Sequence, residues 1–69
     1  MKYSELVRKL RRSGVELYRQ GKGSHEVWWH PTTGNRATIP NHPSQEIKKK
    51  TLATILKDLG LTREDLDRA

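Results

Sequence analysis

The 69-residue sequence predicts an α+β fold, a three-stranded antiparallel sheet with two helices packed on one face and a short helical turn at the C-terminus. Two apolar stripes at helical spacing, Leu6/Val7/Leu10 and Leu52/Ile55/Leu56/Leu59, mark a helix near each end. Between them lie three short segments with strand character, separated by Gly- and Pro-containing turns. That order, α-β-β-β-α, leaves one sheet face for the helices and one open to solvent or to a partner.

The first helix is expected from about Ser4 to Ser13, with Ser4 as N-cap and Glu5 at the positive end of the dipole. Tyr3, Leu6, Val7 and Leu10 share a face suited to a core. Arg8, Lys9, Arg11 and Arg12 take the other, and Gly14 closes the helix at C′. Val15–Arg19 alternates apolar and polar residues as a half-buried strand does, which puts Val15 and Leu17 on the helix-facing side. The Gly21-Lys22-Gly23 turn follows, and Ser24–His30 is a second strand rich in aromatic and β-branched residues. Pro31–Asn35 is a turn, and Arg36–Ile39 a third strand. Pro40, lacking an N–H, makes this strand an edge. Asn41–Ile47 reads as a loop with room for one helical turn after Pro43. The second helix runs from about Lys49 to Leu59 and stops at Gly60. Thr62 and Asp65 have the spacing of a capping box for a last turn around Arg63–Asp67.

Length permits one domain, residues 1–69, with a core so small that a partner would add useful stability. The absence of cysteine excludes disulfides and cysteine-based zinc sites. The N-terminus is charged and amphipathic, and no apolar run approaches the ~20 residues of a membrane span, so a soluble cytoplasmic protein with no membrane association is expected. Fourteen Lys and Arg against eight Asp and Glu give a formal charge of +6, with a pI of about 10.1. That field suits nucleic acid or an acidic protein. The charge gathers in Arg8–Lys22 and again at Lys48, Lys49 and Lys50, while the segment after Gly60 is balanced.

The candidate chemistry centres on Gly21–His25. Glycines around Lys22 let backbone approach a phosphate, and a histidine, as at position 25, is the residue type that can take or give a proton at neutral pH. A hairpin turned around Thr33–Gly34 would set Trp28 opposite Ile39, Glu26 opposite Asn41, and His25 opposite His42 at about 5 Å between Cβ atoms. Two histidines so placed can divide the work of RNA cleavage. One takes the proton of the ribose 2′-OH and the other protonates the leaving 5′-oxygen, giving a 2′,3′-cyclic phosphate with no metal or cofactor. Trp29 on the open face can stack on a base or join the core, whereas Trp28 belongs to the core. Lys48, Lys49 and Lys50 at a helix N-terminus form a phosphate grip or a solvated run. His30 falls on the opposite face from His25, so His25, His30 and His42 do not compose a metal site.

These residues also carry a resemblance in combination. The helix ending at Gly14, Gly23-Ser24-His25 opening a strand, Ile39-Pro40-x-His42, and Lys50-Thr51-Leu52-x-x-Ile55-Leu56-x-x-x-Gly60 resemble the HicA family of toxin mRNA interferases over nearly the whole chain. The resemblance implies a double-stranded-RNA-binding-domain-like fold, ribosome-independent mRNA cleavage and hetero-oligomeric neutralisation by a HicB-type antitoxin. It maps the catalytic histidine onto His25, with Gly23 and Ser24 completing the motif and Lys22 fitting before it. The role of His42 rests on the hairpin register alone. An acidic antitoxin could cover the open sheet face and bury His25. Two rivals predict otherwise: a non-catalytic double-stranded-RNA-binding module, and a basic protein that only assembles with an acidic partner.

Overall fold

The computed structural model describes residues 1–68, in the order α1 (Tyr3–Arg12), β1 (Glu16–Gln20), β2 (His25–Trp29), β3 (Arg36–Pro40), α2 (Lys49–Leu59) and α3 (Arg63–Arg68). The strands form an antiparallel sheet in the order β1-β2-β3. Its helix-facing side carries Trp28, Ala37 and Ile39. These pack with Leu6 and Leu10 of α1, Leu52, Ile55, Leu56 and Leu59 of α2, and Leu66 of α3 in one buried cluster. No helix of the described residues is long and apolar enough to cross a membrane.

Helix boundaries follow the apolar spacing closely, but the first cap differs from expectation. Lys2, extended at φ −88° and ψ 162°, is the N-cap of α1 and makes no side-chain cap hydrogen bond; Ser4 lies inside the first turn. Pairing of Lys2 with Glu46 fixes the entry instead. At the other end, Val15 N–H donates to Leu10 carbonyl (2.9 Å) and Gly14 N–H to Arg11 carbonyl (3.1 Å). This Schellman closure buries Val15 against Leu10. Gly60 closes α2 in the left-handed region at φ 74°. Thr62 Oγ1 accepts from Asp65 N–H (3.0 Å), and Asp65 Oδ2 accepts from Thr62 N–H (2.9 Å). This reciprocal box starts α3 and holds the Asp65 carboxyl below its usual range. After Pro43 the chain makes a β-turn, with Gln45 N–H donating to His42 carbonyl (2.9 Å), rather than a helical turn.

Two features of the sheet depart from the sequence reading. The β2–β3 register sets His25 opposite Pro40, Glu26 opposite Ile39 and Trp28 opposite Ala37, two residues away from the expected pairing. His30 N–H donates to Asn35 carbonyl (2.9 Å), so the loop shortens from the expected Pro31–Asn35 to Pro31–Gly34 and the hairpin is centred one residue before Thr33–Gly34. A slip of two keeps every side chain on its expected face. The second departure is a bulge in β1. Leu17 pairs with Trp28 and Arg19 with Val27, so Tyr18 and Arg19 together oppose Val27. Leu17 faces the helix side but stays 43 % exposed, because β1 is the edge strand away from α2, which lies along β3.

Candidate active site

Alternation along β2 sorts its side chains. Glu26 and Trp28 turn towards the helices and are buried, while His25, Val27 and Trp29 occupy the open face. His25 is exposed and sits where the Gly21–Ser24 turn joins β2. That turn is held tightly. Gly21 N–H donates to His25 carbonyl (2.9 Å), His25 N–H to Lys22 carbonyl (3.0 Å), and Gln20 Nε2 also donates to His25 carbonyl (3.1 Å). Gly23 has φ 58°, a conformation that side chains with a Cβ rarely adopt, and its α-carbon faces open space. A rigid backbone therefore presents an exposed imidazole beside the exposed Lys22.

His42 does not stand opposite His25. Asn41 N–H donates to Ser24 carbonyl (2.7 Å), extending the pairing by one residue, and His42 then reaches Ser24, with 3.2 Å between Nε2 and Oγ. The structure thus couples the two histidines through neighbouring residues of the turn: His42 contacts the residue immediately before His25. A cavity of about 240 Å³ opens between His42, Glu46, Lys48 and Thr51, linking His42 to the start of α2. Lys48 is the N-cap there, and Lys49 and Lys50 are exposed in the first turn. Trp29 is half-buried on the open face, while Trp28 is in the core with the Arg11 guanidinium 5.0 Å from its ring centroid. His30 turns under the sheet beside Gly14, its Nδ1 buried without a hydrogen-bond partner among the described residues. Among the described residues, no cluster of three metal-ligating side chains occurs.

Glu26 is a site residue that its sequence context alone does not single out. It is buried, and its carboxylate accepts from the Tyr3 hydroxyl, from Trp28 Nε1 (3.1 Å) and from Asn41 Nδ2 (3.1 Å). One side chain thus joins α1, β2 and the loop that carries His42. Burial, helped by the bond to Glu26, pushes the Tyr3 phenol up to about 12. The available signal was parity: an acid two residues before a core tryptophan in an alternating strand must share its face.

A family model described as the HicA toxin of bacterial toxin–antitoxin systems matches residues 3–61. A relative from Photorhabdus laumondii named probable mRNA interferase HicA 1 is 41% identical over 61 residues, covering 88% of this chain and all of the relative. The probable mRNA interferase toxin HicA of Escherichia coli K12 is 39% identical over 62 residues, 90% of this chain and all of its own. A probable mRNA interferase HicA of Pseudomonas fluorescens is 39% identical over 61 residues, 88% of this chain and 97% of its own.

Proposed function

This chain belongs to the HicA toxin family of bacterial toxin–antitoxin systems, and from that premise we propose an mRNA interferase whose proton transfers are made by His25 and His42. Membership brings an antitoxin partner and an RNA substrate. The single observation that carries the site is the rigid Gly23–Ser24–His25 turn, which leaves His25 exposed while Ser24 holds His42 at 3.2 Å.

The reaction this arrangement suits is transesterification. The ribose 2′-oxygen attacks the adjacent phosphorus as a histidine takes its proton. The P–O5′ bond breaks, and a second histidine gives its proton to the departing 5′-oxygen. The products are a 2′,3′-cyclic phosphate and a free 5′-hydroxyl, and DNA, lacking the 2′-OH, is spared. The two imidazoles supply both transfers, each worth about 10²–10⁴ in rate. Lys22 and the backbone of Gly23 face the phosphate, Lys48, Lys49 and Lys50 grip the flanking backbone, and Trp29 stacks on a base. A HicB-type antitoxin with acidic surface covers His25 in a hetero-oligomer and blocks RNA entry. The substrate places the activity in the cytoplasm.

The test is cleavage of a long single-stranded RNA in excess EDTA by the wild-type chain and by His25→Ala. Cleavage by the wild type alone supports a metal-independent ribonuclease centred on His25. Equal RNA binding by both with cleavage by neither leaves a non-catalytic RNA-binding module.

A further inference from the structure

We propose that the open sheet face is a stacking site for the bases of unpaired RNA, built by Tyr18, Trp29 and Arg36 and fed by the bulge in β1. The inference rests on the RNA substrate argued above and adds its form: a single strand laid along β2 towards His25.

Three observations converge on it. The Tyr18 and Trp29 rings lie 4.8 Å apart between centroids at 56°, and the Arg36 guanidinium sits 4.3 Å from the Tyr18 centroid. Arg36 also pairs with Trp29 across the sheet, so the three side chains form one continuous patch. Each ring is held by a neighbour, so little side-chain freedom is lost when a base lands there. The bulge supplies the second observation. Strict alternation would turn Tyr18 outward and Arg19 towards the helices; with both residues opposite Val27, Arg19 joins Tyr18 on the open face. The third is position. His25, Val27 and Trp29 share this face, and four residues of strand set Trp29 about 13 Å from His25, a span that a short run of extended single strand covers.

The chemistry of the face selects its occupant. Arg19 and Arg36 alternate with aromatic rings, the combination that takes phosphates and bases together. An apolar protein-docking surface would need aliphatic side chains, yet Ala37 and Ile39 of β3 are buried on the other side, and Thr38 and Val27 are what the face offers at its centre. Duplex RNA keeps its bases stacked inside the helix and shows ribose and phosphate, so it cannot use rings in this way. Glu16, opposite Trp29, marks the end of the face farthest from His25.

Fluorescence anisotropy of the intact chain with a labelled, 2′-O-methylated single-stranded oligonucleotide measures binding without cleavage, and a duplex of the same sequence is the comparison. Tyr18→Ala should weaken single-strand binding between about five-fold and a hundred-fold, with Tyr18→Phe restoring it. Arg36→Ala, at an exposed position, should weaken it as well, and neither change should alter duplex binding by more than about two-fold. Unchanged single-strand affinity in both variants overturns the proposal. So does preferential binding of the duplex, or a loss of affinity for the antitoxin alone. Parallel cleavage of unmodified RNA separates the two readings: a platform that binds as expected on a chain that cleaves nothing removes the nuclease and leaves the stacking site.

Discussion

Asn41 Nδ2 donates to Glu26 Oε2 across 3.1 Å, and this bond ties the loop bearing His42 to the strand bearing His25. The same asparagine gives its backbone N–H to Ser24 carbonyl at 2.7 Å. His42 is therefore placed from two sides, by a buried carboxylate and by the turn it touches.

Glu26→Ala should be far more damaging than Glu26→Gln. Alanine leaves the Tyr3 hydroxyl, Trp28 Nε1 and Asn41 Nδ2 without an acceptor; the buried Trp28 donor so stranded costs about 1–3 kcal/mol, and the two half-buried donors add less. Glutamine keeps an oxygen for Tyr3 and Trp28. Its amide can meet Asn41 if that side chain flips to present Oδ1, which is buried and unpartnered among the described residues. Urea unfolding of both variants checks the order; equal losses would remove the hydrogen-bond account.

Stability should fall at high pH through Tyr3. The phenol is held up to about 12 in the fold, against about 10 when exposed in the unfolded chain. The folded state thus keeps the proton that the unfolded state releases. This contribution is complete below pH 10 and is lost as the pH rises towards 12. Tyr3→Phe removes the titrating group, so the wild-type minus variant difference in unfolding free energy should shrink between pH 10 and pH 12. A constant difference would place the shift elsewhere.

Gly60→Ala should destabilise the protein by about 1–2 kcal/mol or more, the cost of a side chain in the left-handed region. The new Cβ would also lie 2.7 Å from Asn35 Nδ2, the group that donates to Leu59 carbonyl (3.2 Å) at the end of α2. Asn35→Ala alone should cost about 0.5–1.5 kcal/mol through that lost bond. In the double variant the two losses should add to less than their sum, because both disturb the same contact. Thermal melts of the three proteins measure this coupling.

His42→Ala should slow RNA cleavage by about 10²–10⁴ and remove one limb of the pH–rate profile, with RNA affinity unchanged. Ser24→Ala leaves the imidazole but frees its ring, so its effect should be smaller and should keep both limbs. A His42→Ala profile with both limbs intact would confine His42 to a structural part in the loop.

Much of this molecule was determined by local sequence. Leu52, Ile55, Leu56 and Leu59 recur at helical spacing and Gly60 cannot continue the helix cheaply, so α2 is legible to the residue from Lys49 to Leu59. The faces of β2 follow equally directly, since alternation sends Trp28 inward and His25 outward whatever the pairing. The double-helix-on-sheet architecture is the arrangement that buries those stripes. Tertiary structure alone decided who meets whom across the strands. The Pro31–Gly34 loop, closed by a backbone bond from His30 to Asn35, shifts the hairpin by two residues and gives His42 to Ser24 instead of His25. Backbone pairing likewise placed the bulge that turns Arg19 beside Tyr18, and burial under α1 made Glu26 an acceptor for three elements. Composition and period specify which face a residue takes, because they act through one residue's own geometry. Register, bulges and buried polar partners depend on hydrogen bonds between distant segments, and only the folded chain brings those together.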